Sequence, residues 1–194
     1  PEIGVDTITV NNRLGIRMGI RHLISLGHRN IAFFVLPFHE IPATPRRERA
    51  QAYQDLLREF DLPQNDSWLV QVDCEEKMLA EQIDKLLHAP GDRPTAIFGA
   101  NDLMTMSIVR VLVQKGIRVP QDIAVIGFDD WEWAPYLNPP VTVIAQPSYA
   151  MGRRAIERLV GRIKKQYGDV GPELEQYDPE LIVRRSCGES VNEA

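Results

Sequence analysis

Residues 123–146, IAVIGFDDWEWAPYLNPPVTVIAQ, join two β-branched apolar runs through a polar and aromatic connection. The first run stops at the adjacent carboxylates Asp129 and Asp130, and a Pro-Pro pair precedes the second run. A buried strand that delivers polar groups at its carboxyl end is typical of open α/β sheets, which bind ligands in the crevice at that end. The pattern therefore predicts a ligand-binding crevice beside Asp129 and Asp130.

The composition of the 194-residue chain, with 44% hydrophobic and 25% charged residues, is that of an ordinary globular protein. Its net charge of -5 argues against direct nucleic-acid binding, because Lys and Arg supply the affinity for phosphate backbones. No apolar run approaches the roughly 20 residues that span a bilayer, so we expect no membrane association. Cys74 and Cys187 have no second Cys or His at metal-ligand spacing, so we expect reduced thiols, no metal site and a cytoplasmic protein.

Short β-branched runs alternate with longer segments of helical period along most of the chain. This alternation predicts an α/β fold, a parallel sheet flanked by helices. The rhythm breaks after residue 131, and the polar stretch 166–179 is expected to lack regular structure. The expected strands are 6–10, 31–36, 68–72, 95–100, 123–128, 141–145 and 180–185, and the expected helices are 13–26, 46–60, 76–88, 103–115 and 148–165.

Three expected strands end in polar residues: Asp73, Asn101 with Asp102, and Asp129 with Asp130. The carboxyl ends of parallel strands meet at one edge of a sheet, so we expect these side chains to lie close together. Asn offers a donor and an acceptor and Asp offers paired acceptors, which together suit the vicinal hydroxyls of a carbohydrate. For Asp102 a helix cap and for Asp130 a turn residue remain the alternative interpretations.

Arg49 lies on the expected helix 46–60 and could reach the crevice with its fixed fork of donors, whereas the charged residues just before it are expected to be solvated. The aromatic side chains of 131–136, Trp131 among them, have two open interpretations. They stack on a sugar face or on a partner, or they pack the junction between two lobes.

Enzymatic motifs are missing from the sequence: no GxGxxG follows a strand, and neither GxxxxGK[ST] nor GxSxG occurs. The four histidines are scattered and none pairs with a recognisable nucleophile. We therefore expect a binding protein without catalytic residues or cofactor. An enzyme that uses Asp129 and Asp130 as an acid/base pair is the alternative, although adjacent side chains usually point in different directions.

Six segments, LGHRNIAFF, RAQAYQDLL, TAIFGANDLM, GIRVPQDIAVIGFDD, PPVTVIAQP and ELIVRRSC, resemble the successive signature segments of the LacI/GalR effector-binding domain. The match runs in order and at family spacing from about Val10 to Cys187. It implies a periplasmic-binding-protein-like type I sensor that closes two lobes over a small effector such as a sugar. It also implies a homodimer that reaches DNA only through a helix-turn-helix preceding this domain.

By the same resemblance, the chain holds one nearly complete lobe and part of a second. The implied division is 1–11 and 141–166 as fragments of the N-terminal lobe, 12–131 and 176–187 as the C-terminal effector-binding lobe, 132–140 as the crossing between lobes, and 188–194 as a tail. An exported periplasmic sugar-binding receptor of the same fold is the alternative to a regulator.

The resemblance also places effector contacts on this sequence. Arg49, Asn101 and Asp129 match contacting positions, and Gln146 matches a position near the same cleft. Cys74 stands where family members often have an aromatic, which counts against an ordinary hexose, and Asn11-Asn12 replaces the usual Asp-Asn. The expected effector-binding set is Arg49, Cys74, Asn101, Asp129, Trp131 and Gln146.

Overall fold

The computed structural model describes residues 4–38, 44–167 and 170–188. Within these residues, eight strands form two sheets, and five α-helices cover them. The strands are β1 (Thr7–Val10), β2 (Ile31–Val35), β3 (Leu69–Gln71), β4 (Ala96–Gly99), β5 (Ala124–Phe128), β6 (Thr142–Ala145), β7 (Leu174–Tyr177) and β8 (Glu180–Ile182). The helices are α1 (Asn12–Ser25), α2 (Thr44–Glu59), α3 (Glu76–Leu87), α4 (Asp102–Gln114) and α5 (Ser148–Ile163), with short 3-10 turns at Asp66–Trp68 and Ala134–Tyr136.

The large sheet has the strand order β3-β2-β4-β5-β6-β8. Its strands run parallel except β8, which pairs antiparallel with β6. The register aligns Gly99 of β4 with Gly127 of β5, and Gly127 with Val143 of β6. The carboxyl ends of the neighbouring strands β4, β5 and β6 therefore meet at one edge, and the predicted fold class is confirmed.

The central strands β2, β4 and β5 of the large sheet are buried on both faces, which explains their uninterrupted apolar sequences. In β2 every residue is buried. Phe33 packs on one face against Tyr53 and Phe98, with ring centroids 5.0 and 5.5 Å away, while Phe34 joins Trp68 in the apolar cluster of the opposite face. Successive side chains thus supply two cores, as the alternation of a strand requires.

Two glycines let α1 approach the large sheet closely. A Cβ added to Gly15 would lie 2.7 Å from Cε2 of Phe128, and one added to Gly19 would lie 2.5 Å from Cε1 of Phe98. Both rings are fully buried, so neither can move aside without repacking. The backbone of α1 therefore rests directly on aromatic rings of the sheet.

We predict that Gly19→Ala lowers the free energy of unfolding by about 1–3 kcal/mol, because the added methyl overpacks the core beside Phe98. Urea denaturation of the chain measures this change. Gly152→Ala on α5 is the matched control, since nothing lies within 4 Å of the added Cβ there. The control should be neutral or stabilising by up to about 1 kcal/mol. Equal effects of the two substitutions would contradict the close packing of α1.

The small sheet contains β1 and β7 in parallel, with α5 packed against β1. Ion pairs hold this packing: Asp6 contacts Arg158 at 3.2 Å and Arg162 at 2.7 Å. The hydrogen bond from Arg162 and that from the Glu173 amide hold the pKa of Asp6 well below its usual range. Charged contacts, more than apolar burial, therefore attach α5 to β1.

Two boundaries expected from the sequence are wrong. Residues 142–145 belong to the large sheet, where β6 pairs with β5, and not with the fragment of the other lobe. The connection 132–140 therefore returns to the same sheet, and the chain passes toward the small sheet only between β6 and α5. Residues 174–177 form β7, a polar strand that the sequence did not predict, so residues 176 and 177 pair with β1 instead of extending the large sheet.

Candidate functional site

Asp129 occupies a tight turn at the carboxyl end of β5. Its backbone φ of 78° lies in the left-handed region, which residues with a Cβ seldom adopt. The Asp129 amide donates to the Ile144 carbonyl at 2.7 Å, and the Gln146 side-chain amide donates to the Asp129 carboxylate. The structure thus brings together Asp129 and Gln146, two predicted site residues from neighbouring strands.

Arg49 lies behind this turn and is 6% exposed. Its guanidinium carbon is 3.5 Å from the ring centroid of Phe128, the last residue of β5. Nε donates to Asn12 Oδ1 at 2.8 Å, and Nη1 donates to the Ala100 carbonyl at 2.7 Å. Nη1 is also 3.8 Å from Oδ2 of Asp129. The predicted approach of Arg49 to the end of β5 is therefore present.

The electrostatics of Arg49 combine burial with nearby carboxylates. Burial lowers the pKa of its guanidinium, while Asp129 and Glu48 act in the opposite direction. A buried guanidinium stays charged and must therefore keep its hydrogen-bond partners and counter-charge. Arg49 thus supplies a fixed positive charge behind Asp129.

Asn12 is a site residue that the sequence interpretation missed. It is buried, accepts from Arg49, and donates to Oε2 of Glu48 at 2.6 Å. The signal was present in the helical spacing, because Asn12 precedes Ile16 and Ile20 by four and eight residues on the buried face of α1. A polar residue on an apolar helix face needs a buried partner.

A concavity of about 350 Å³ opens at this edge of the large sheet. Its walls are polar apart from the indole of Trp131, which is 52% exposed. Carboxylates and amides beside one aromatic face suit a ligand rich in hydroxyl groups. The lining residues are Asp102, Asp129, Asp130, Trp131, Gln146 and Ser148.

A groove of about 580 Å³ lies between α5 and the start of the chain. Its charged side chains Arg158 and Arg162 already pair with Asp6. The concavity at Asp129 is the better candidate, because it lies at the carboxyl ends of parallel strands, where open α/β sheets bind their ligands.

Two further predicted residues, Asn101 and Cys74, do not line the concavity. Asn101 caps α4 by accepting from the Met104 amide at 3.1 Å, so its free group toward a ligand is the amide nitrogen. Asp102, expected to be the cap, is instead the first residue of α4 and lines the concavity. Cys74 is half-buried against the apolar cluster on one face, and burial raises the pKa of its thiol. Effector contacts of Asn101 and Cys74 stay predictions.

The aromatic residues after β5 separate into different environments. Trp133 packs against the apolar cluster that also holds Ala134, whereas Trp131 faces the concavity and Tyr136 is 87% exposed. Trp131 and Tyr136 are thus exposed on this chain, and both interpretations of their role stay predictions. Trp131 stands where it can stack on a ligand.

Within residues 4–38, 44–167 and 170–188, no group of three or more His, Cys, Asp or Glu side chains is arranged to hold a metal ion. No helix among them has both the length and the apolar character that a membrane span needs.

The fold and the crevice define a class of protein: an α/β domain with an open crevice at the carboxyl ends of parallel strands. A family model described as a periplasmic binding protein-like domain matches residues 20–187. The chain therefore belongs to the periplasmic binding protein-like family, as a domain of the type found in LacI-family regulators.

The relatives of this chain are transcriptional regulators. It is 36% identical over 181 residues to the HTH-type transcriptional repressor PurR of Photobacterium profundum, covering 93% of this chain and 52% of that protein. It is 34% identical over 191 residues to the HTH-type transcriptional regulator KdgR of Bacillus subtilis, covering 96% and 54%. The solved complex of the transcriptional regulator CelR with cellobiose superposes with a TM-score of 0.80 at 33% identity, covering 96% of this chain and 55% of that one. The chain thus spans about half the length of these relatives, and the predicted family is confirmed.

We predict that Arg49→Met destabilises the chain by about 1–3 kcal/mol, because the Asn12 amide oxygen and the Ala100 carbonyl lose their buried donor. Chemical denaturation followed by circular dichroism measures this loss. Arg47→Met, two positions earlier on the same helix and exposed, is the control and should change stability by less than about 0.5 kcal/mol. Similar values for both variants would remove Arg49 from its assigned place behind the site.

Proposed function

We propose that this chain is the effector-sensing domain of a LacI-type transcriptional regulator and binds a small hydroxyl-rich metabolite, such as a sugar, in the concavity at Asp129. The observation that carries the proposal is the convergence of Asp129, Gln146 and Trp131 on that concavity. A buried cation, Arg49, backs the central carboxylate.

The chemistry of the concavity favours an uncharged ligand. The side chain of Asp129 is 19% exposed, so its oxygens are open to accept hydrogen bonds from ligand hydroxyls. Trp131 offers an aromatic face to the apolar side of a sugar ring. Asp102 and Asp130 add two more carboxylates to the wall, which disfavours an anionic ligand.

Effector binding would act through the position of the site in the chain. Asp129 ends β5 of the large sheet, whereas Gln146 and Ser148 lie where the chain leaves that sheet for α5. A ligand that contacts both favours one arrangement of the two sheets, and it shifts DNA affinity only by its differential affinity for the two arrangements. DNA contact belongs to a helix-turn-helix outside these residues, in keeping with the net charge of -5.

By the same proposal, the protein is cytoplasmic and catalyses no reaction. The relatives are HTH-type regulators, which favours a DNA-binding regulator over an exported receptor of the same fold. Asp129 and Asp130 have separate partners, Gln146 for the first and Arg184 for the second. Two carboxylates held in this way are poorly placed to flank one scissile bond.

We also propose that the chain forms a homodimer through the face of the large sheet covered by α3 and α4. Large exposed apolar side chains on one face of a protein mark interaction surfaces. On this side they include Met78 on α3, Leu103 and Val113 on α4, and Tyr136 in the connection 132–140, whereas α5 carries a second exposed set that contains Ile156 and Ile163.

Calorimetric titration with cellobiose and D-ribose, after a thermal-shift screen of a sugar panel, tests the effector site. We expect Asp129→Asn to weaken binding of the best ligand by about tenfold to a hundredfold, the range of one charge-assisted hydrogen bond. Glu132→Gln makes the same charge change three residues away on an exposed side chain and should bind normally. Unchanged affinity in Asp129→Asn, or no stabilising sugar in the panel, would overturn the proposal.

Sedimentation velocity tests the dimer. We expect Leu103→Asp to convert the dimer to monomer, because a carboxylate buried in an apolar interface loses its hydration. Tyr149→Asp, on a still more exposed side chain of α5 outside the proposed interface, should remain dimeric. A monomeric wild-type chain, or a dimer insensitive to Leu103→Asp, contradicts the proposed interface.

A further inference from the structure

Asp130 is held by a two-point ion pair. Nη1 of Arg184 lies 2.9 Å from Asp130 Oδ1, and Nη2 donates to Oδ2 at 2.9 Å. The two side chains are 14% and 25% exposed, respectively. A fork of two parallel bonds between guanidinium and carboxylate fixes orientation as well as distance.

Arg184 reaches this carboxylate from the far end of the chain, just beyond β8. Its amide donates to Thr142 Oγ1 at 2.9 Å, and Nη1 also donates to the Val141 carbonyl at 2.8 Å. Both acceptors lie at the start of β6. Contacts other than Asp130 therefore fix the guanidinium to the sheet, so it can restrain the turn that follows β5.

The turn that Arg184 engages is the one that presents Asp129. A left-handed backbone at a residue with a side chain persists only where the surroundings hold it. Asp129 itself is held by the Ile144 carbonyl and by Gln146. The Arg184 pair adds a separate restraint on the next residue, Asp130.

We propose that Arg184 is a positioning residue for the effector site: its ion pair with Asp130 fixes the turn that presents Asp129 to the ligand. The ligand part of this inference rests on the proposed function above. The restraint that Arg184 places on the turn does not depend on that function.

A structural role for Arg184, attaching the terminal segment to the sheet, is the competing interpretation. Ser186 already makes that attachment. Its hydroxyl accepts from the Thr142 amide at 2.8 Å and donates to the Val125 carbonyl at 2.5 Å, and its carbonyl accepts from the Val125 amide at 2.9 Å. Ser186→Ala therefore loosens the same segment without touching Asp130, and it is the matched control.

The test compares Arg184→Gln, Asp130→Asn and the double variant in two measurements. The first is hydrogen exchange of the Asp129 amide in the absence of ligand. The second is the dissociation constant for cellobiose or D-ribose, whichever binds the wild-type chain more tightly. We expect each single variant to speed exchange and weaken binding by about tenfold, with the double variant no worse than either, because the two residues act as a unit.

Two further variants separate positioning from stability. Arg184→Lys keeps the charge but not the planar fork, so it should restore only part of the affinity. Ser186→Ala should lower the free energy of unfolding while Asp129 exchange and the dissociation constant stay as in the wild type.

The inference is overturned if Arg184→Gln behaves like Ser186→Ala, losing stability but keeping Asp129 exchange and sugar affinity. It is also overturned if the losses of the single variants multiply in the double variant. Normal sugar binding by Asp129→Asn would instead overturn the proposed function, and hydrogen exchange alone would then decide whether Arg184 holds the turn.

Discussion

The buried guanidinium of Arg49 is the interaction around which the crevice is assembled. It joins Asn12 at the start of α1, the Ala100 carbonyl after β4, and the Phe128 ring at the end of β5. Removing a full charge from water is costly unless hydrogen bonds and counter-charge compensate. Three elements must therefore stay in place around α2 to satisfy this one side chain. The crevice is rigid where Arg49 backs it and open where Asp129 meets solvent.

The two sheets are stabilised by different physics. The large sheet has apolar clusters on both faces and helices packed closely against it. The small sheet depends on the pairing of Asp6 with Arg158 and Arg162, and α5 turns apolar side chains such as Ile156 and Ile163 outward. Arg158 is buried, whereas the Asp6–Arg162 pair is partly exposed and is therefore weakened by salt more than a packed core is. The large sheet, with apolar clusters on both faces, is consequently the firmer support of the site.

Sequence alone predicted what local pattern encodes. The central strands of the large sheet are buried on both faces, so each is an apolar run that can be recognised in the sequence. These strands, and the carboxylate of Asp129 that follows one of them, were therefore predictable. β7 was not, because a polar strand in a two-stranded sheet has neither apolar alternation nor buried neighbours. The Pro-Pro pair before β6 suggested a passage between lobes, yet the chain returns to β5. Asn12 and Arg184 went unassigned because their partners, Arg49 and Asp130, are 37 and 54 residues away in sequence.

The missing side chain of Gly15 has a consequence for how such a site can diversify. Phe128 is pressed between the bare backbone of α1 and the guanidinium of Arg49. Any atom added at Gly15 would push the ring toward the cation and disturb the whole back wall. Substitutions at the rear of the crevice therefore disturb its packing. Changes in ligand preference must arise from substitutions at its rim, at positions such as Trp131 and Ser148. The close packing of α1 at Gly15 thus restricts which residues of the crevice can vary with the ligand.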